Sequence, residues 1–185
     1  SAVIKMDLDK AIKSHDIKME AINYEGRYVG KTTRLMLTNN NNSPIQVKVN
    51  VGMILRPDDT TYQPMVLAGE ELLLVAPHQT GQVEVMTFCG NSPRSCPAEG
   101  LHYAFSRIGD DTLVKVLKYL KTNGLLDHLG QSAVWVVTNG HSPRGVYDVN
   151  RDAESKKLVD FLCAATGRNT PDYYTVTQIN ETPSQ

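Results

Sequence analysis

Apolar and polar residues alternate with period two through much of the first half of the chain, the spacing of strands that bury one face. Asp16 to Asn23 reads this way, and Thr32 to Thr38 reads as its partner across a Gly26 to Gly30 turn. The Asn39 to Asn42 run with Ser43-Pro44 turns the chain into Ile45-Gln-Val-Lys-Val-Asn-Val51, whose apolar residues all share one face. Gly52 and Pro57-Asp58-Asp59 interrupt the pattern. Gln63 to Leu67, Glu71 to Val75 and Gln82 to Phe88 then supply further short strands, with a turn at Pro77 to Gly81. Six or so strands with turn signals at this spacing predict an antiparallel, immunoglobulin-like β-sandwich over residues 1–100, after a short amphipathic opening at Asp7 to Lys13.

The period changes after Asp110. Leu113, Val116, Leu117 and Leu120 fall on one helical face, with Asp110 and Asp111 as the N-terminal cap and Asn123-Gly124 as the stop. Gly130 to Thr138 is apolar nearly all round, which fits a buried helix or an inner strand equally well. Asp152 to Ala165 is an amphipathic helix ended by Gly167, and the tail from Asn169, with Tyr173-Tyr174 and Val176, suggests an edge strand. Residues 101–185 therefore form a C-terminal group of about three helices with a short tail. The whole reads as one compact α+β unit, an N-terminal sandwich packed on C-terminal helices.

The 185 residues include 19 basic and 20 acidic side chains for a net charge of −1, without the basic excess that nucleic acid or an anionic membrane requires. The longest apolar run, Ala133 to Val137, is far too short to span a bilayer. Ser1-Ala2-Val3 begins the chain without an initiator methionine, compatible with signal-peptide removal or a trimmed terminus. Asn41-Asn42-Ser43 and Asn180-Glu181-Thr182 are formal glycosylation sequons, tripeptides common by chance.

Cys89 and Cys96 flank a short loop carrying Gly90, Asn91, Ser92 and Pro93, a spacing that suits a disulfide in an oxidising compartment. Free buried cysteines are also common, so both states of the pair stay open. Cys163, on an apolar helix face, reads as a buried thiol.

Other motifs dissolve on inspection. Gly26-Arg-Tyr-Val-Gly30-Lys31-Thr32-Thr33 is one residue short of a phosphate-binding loop and runs into a strand where a helix N-terminus is needed. Gly140-His-Ser142-Pro143 resembles a nucleophile elbow, but Pro143 lacks the N–H that would serve the oxyanion hole. The five histidines show no paired spacing for a metal. Asp58-Asp59, Glu70-Glu71 and Asp110-Asp111 lie at turns or a helix start, where capping and solvation account for them. Trp135 reads as a core anchor whose indole N–H needs a partner.

Between Phe88 and Gly140 the chain resembles the thioester domains of bacterial surface adhesins. The resemblance rests on Thr87-Phe88-Cys89, Pro97, His102-Tyr103 and chiefly Gln131-Ser132-Ala133-Val134-Trp135-Val136. It implies that the Cys89 sulfur is acylated by the Gln131 side chain with loss of ammonia, leaving a shielded electrophile for an amine or hydroxyl on a target. Cys89 and Gln131 stand only 42 positions apart, closer than that family leads one to expect. A Cys89–Cys96 disulfide and a Cys89–Gln131 thioester exclude each other, because each consumes the same sulfur.

The leading expectation is an exported, non-catalytic binding module of the periplasm, cell surface or surroundings, which recognises a protein or glycan and needs no cofactor. The alternatives are a covalent adhesin using Cys89 and Gln131, and a hydrolase assembled from scattered residues.

Overall fold

The computed structural model describes residues 2–171, and the tail residues Tyr173, Tyr174, Val176 and Asn180 lie outside the described part. In chain order the elements are β1 (Ile4–Asp7), α1 (Leu8–Lys13), β2 (Ile17–Asn23), β3 (Val29–Asn39), β4 (Ile45–Val49), β5 (Met53–Pro57), β6 (Met65–Leu67) and β7 (Glu71–Val75). They continue with β8 (Thr80–Cys89), β9 (His102–Ile108), α2 (Asp111–Thr122), α3 (His128–Asn139) and α4 (Asp152–Thr166), with two 3-10 turns at Pro143–Gly145 and Val149–Arg151.

Six strands close into an antiparallel barrel in the order β2-β3-β8-β6-β5-β9. The remaining three form a separate sheet, β1-β4-β7, in which β1 runs parallel to β4. This corrects the expected immunoglobulin-like sandwich. The closing strand is β9, which follows the cysteine loop and joins β5 from Met53 opposite Ile108 to Pro57 opposite Tyr103. It also meets β2 at Ala21 opposite Tyr103 and Ile22 opposite His102, so both open edges of the curved sheet are consumed. The helices are likewise not confined to the C-terminal part, since α1 lies between β1 and β2.

Two cores follow from the alternation of side chains across the barrel wall. Inward-facing Leu35, Leu37, Met53, Leu55, Met65, Leu67, Val85 and Cys89 fill the barrel, continuous with Leu8 and Ala11 of α1 and with Ile45, Val47 and Val49 of the small sheet. Outward-facing Ile54, Val66 and Phe88 meet the apolar faces of α2, α3 and α4. Neighbours Phe88 and Cys89, both fully buried, thus point into different cores.

The helix termini are set by local chemistry. Asp110 accepts from the Leu113 N–H at 2.9 Å to start α2. Asp127 accepts from Leu129 at 3.0 Å to start α3, and Gly140, in the left-handed region at φ 68°, ends it. Gly130 lets α3 sit against β8: a Cβ there would collide with the Leu125 carbonyl oxygen and press on the Phe88 ring. Among the described residues no helix is long and apolar enough to cross a membrane.

Candidate functional site

Cys89 ends β8 with its side chain facing the barrel interior, and Gln131, in the first turn of α3, is only 3% exposed. The two residues grip each other. The Cys89 N–H donates to Oε1 of Gln131 at 2.8 Å, and Nε2 of Gln131 donates back to the Cys89 carbonyl at 2.9 Å. Only this orientation of the amide satisfies both bonds. The carboxamide thereby supplies the pair of hydrogen bonds that an adjoining strand would otherwise make at the end of β8.

Burial pushes the Cys89 thiol far above its ordinary range, and the nearby Cys96 adds to the shift. Tyr103 is raised as well, by burial first and then by the two cysteines, so all three groups share one end of the barrel. All three cysteines are free thiols, with Cys163 buried on α4 and the half-buried Cys96 Sγ 3.7 Å from the Gly26 carbonyl oxygen.

Further residues lock α3 to the chain leaving β8. Trp135 donates its indole N–H to Gln63 Oε1 at 3.2 Å, and the same oxygen accepts the Asn91 N–H at 3.0 Å. Asn139 accepts from the Ser92 N–H at 3.0 Å and donates to Asn91 Oδ1 at 3.1 Å. Gln131, Trp135 and Asn139 recur at intervals of four, so one face of α3 bonds in turn to Cys89, to Gln63 and to the Asn91-Ser92 loop. Ser92 Oγ also meets His141 Nε2 at 2.7 Å, a serine–imidazole contact. The Ser92 N–H is committed to Asn139, however, and is not free to stabilise an oxyanion. Nε2 of Gln63 and Nδ2 of Asn23 are buried without a partner among the described residues.

Gln131 also lines an open cleft of about 490 Å³ with Arg27, Tyr28, Val29, His128, Ser132 and Trp135. Tyr28 meets Trp135 edge to face, ring centroids 5.9 Å apart, as an aromatic wall beside the carboxamide. His128 sits one turn before Gln131, and its Nε2 lies 3.3 Å from Asp148 Oδ2. Arg151 binds that carboxylate at 3.0 Å and Asp127 at 2.7 Å, and hydrogen bonds from Asn150 and Arg151 hold the Asp148 carboxyl below its usual range. A separate cleft of about 370 Å³, over Lys5, Met6, Lys48 and Leu72, contains none of these groups.

Of the residues singled out in the sequence, Cys89 and Gln131 are brought into direct contact, and Cys96 stands nearby without bonding to Cys89. Gln63, Asn91, Asn139, His128, Asp148 and Gly130 were not evident. The four-residue recurrence of Gln131, Trp135 and Asn139 was the available signal. Among the described residues no group of three or more His, Cys, Asp and Glu side chains is arranged to hold a metal ion. Comparison of the chain with protein-family models, with curated proteins and with solved structures finds no match.

Proposed function

We propose that this protein forms an internal thioester between Cys89 Sγ and Gln131 Cδ and uses it to bond covalently to a partner on a cell surface. The observation that carries this reading is the reciprocal pair of hydrogen bonds between the Gln131 carboxamide and the Cys89 backbone.

In the forming step Sγ attacks Cδ, the carbonyl π electrons move onto Oε1, and the thiol proton passes to the departing nitrogen. Collapse of the adduct expels ammonia and leaves the acyl–sulfur bond. The Cys89 N–H already points at Oε1, the oxygen on which charge develops, as an oxyanion-stabilising donor must. Nε2 is held on the Cys89 carbonyl, which fixes the carboxamide beside the residue bearing the thiol. Rotation about the Cys89 Cα–Cβ bond is the side-chain freedom that moves sulfur onto carbon.

Burial that disfavours a free thiolate also makes sulfur a reluctant leaving group, so the bond persists until a nucleophile arrives together with a proton for the sulfur. The cleft beside Gln131 offers the route of approach. Such a protein belongs outside the cell, where its partner is a surface protein or glycan.

The reading is tested by incubation with methylamine followed by peptide mapping. The expected product is an N-methylamide on the Gln131 peptide, with the Cys89 thiol becoming alkylatable only after the amine is added. An unmodified Gln131 peptide, with Cys89 alkylatable on unfolding without amine, would overturn it and leave the aromatic cleft as a non-covalent binding site.

A further inference from the structure

We infer that His128 is the general base for capture of a partner and that the site is built for a hydroxyl nucleophile, an inference that rests on the thioester reading. His128 and Gln131 line the same cleft and stand three residues apart on α3, which places both on one helical face. The Asp148 carboxylate faces Nε2 of the imidazole at 3.3 Å and is itself fixed by Arg151. A carboxylate accepts only, so it selects the tautomer with the proton on Nε2 and leaves the Nδ1 lone pair free to take a proton.

The chemistry that needs such a base is addition of an alcohol. An unprotonated amine attacks an acyl carbon without help, whereas an alcohol must lose its proton as the bond forms. In the step drawn, the alcohol oxygen bonds to Gln131 Cδ while its proton moves to His128 Nδ1. The Cδ–Sγ bond then breaks, sulfur leaves with the bonding pair, and the imidazolium returns the proton to it. The products are an ester on Gln131 and the Cys89 thiol, so the acid–base cycle of His128 closes. It also delivers the proton that a buried sulfur needs on departure. Arg27 lines the same cleft as a cation paired with Glu25. Among the described residues the charged groups around His128 are Asp148, with Arg151 and Asp127 in the same ion-pair network, and Arg27 in the lining of the cleft.

The test compares glycerol with methylamine as nucleophiles, each followed by intact mass and normalised to the fraction of chain lighter by one ammonia. In H128Q the ratio of glycerol to methylamine capture should fall by at least about 100-fold, the lower end of what a positioned general base contributes. The wild-type glycerol rate should rise with pH to a plateau, as dependence on a general base requires, a limb absent from H128Q. An unchanged ratio overturns the inference. So does a wild-type glycerol profile without that limb, a readout that stands even if the variant does not fold. A wild-type chain that never loses ammonia overturns the thioester reading and this inference together, whereas an ammonia-light chain with an unchanged ratio overturns only the role of His128.

Discussion

Cys89 and Gln131 are both buried and satisfy each other's polar groups, so each substitution at the pair has a definite cost. Gln131→Ala strands the Cys89 N–H and carbonyl, and buried orphans of this kind cost about 1–3 kcal/mol each. Denaturant unfolding of the unlinked chain should show Q131A less stable by about 2–6 kcal/mol. The titration of Cys89 makes a second prediction. Its folded-state value is raised above the ordinary 9.0, so the stabilisation is complete below pH 9 and is lost as pH rises through and beyond that value. With the thiol free, stability should fall by up to about 1.4 kcal/mol per pH unit above 9 on account of Cys89. Cys89→Ser should remove that part of the slope, and so should acylation of the sulfur, leaving the contributions of Cys96 and Tyr103.

The decisive element is α3, and its ambiguity in the sequence has a physical origin. Ala133, Val134 and Val136 pack into the helical core, while Gln131 and Trp135 cover the end of the barrel, so the segment is apolar on nearly every side. No solvent face remained to reveal a helical period. The helices at α2 and α4 were legible because each keeps a wet face and its stop signal, Asn123-Gly124 and Gly167. Gly130 carried no sequence signal at all, since its role depends on how closely α3 approaches Phe88 and Leu125. Gly130→Ala should cost about 1–3 kcal/mol through overpacking. The shift of α3 that relieves the clash would draw Gln131 off Cys89, so the ammonia-light fraction should fall. Intact mass of refolded G130A checks the second effect and thermal melting the first.

At the scale of the molecule, the strands were mostly legible and their closure was not. The alternation in β2, β3, β4 and β8 locates strands but not partners, and a sandwich and a barrel make equal use of it. Closure depends on β9, where only Tyr103 is fully buried, and on pairing between residues about eighty positions apart, Ala21 with Tyr103. The candidate site was legible as two residues through the resemblance around Phe88-Cys89 and Gln131 to Trp135. Its supports, Gln63, Asn91 and Asn139, come from separate segments that only the fold brings together. The proposed Cys89–Gln131 thioester would link positions 42 residues apart, and by the loop-entropy reasoning used for disulfides it would stabilise the fold by about 4 kcal/mol. Opening the link with methylamine should therefore lower the melting temperature on the order of 10 °C. An unchanged melting curve would mean that no such link had existed.

The most direct measurement is the intact mass of the native, unreduced protein. A Cys89–Gln131 thioester makes the chain lighter by one ammonia, insensitive to reducing agent, and methylamine then raises the mass by one whole amine. A full-length mass with no deficit contradicts the thioester, and so does a deficit of two hydrogens that reduction restores, which would place the Cys89 sulfur in a disulfide with Cys96.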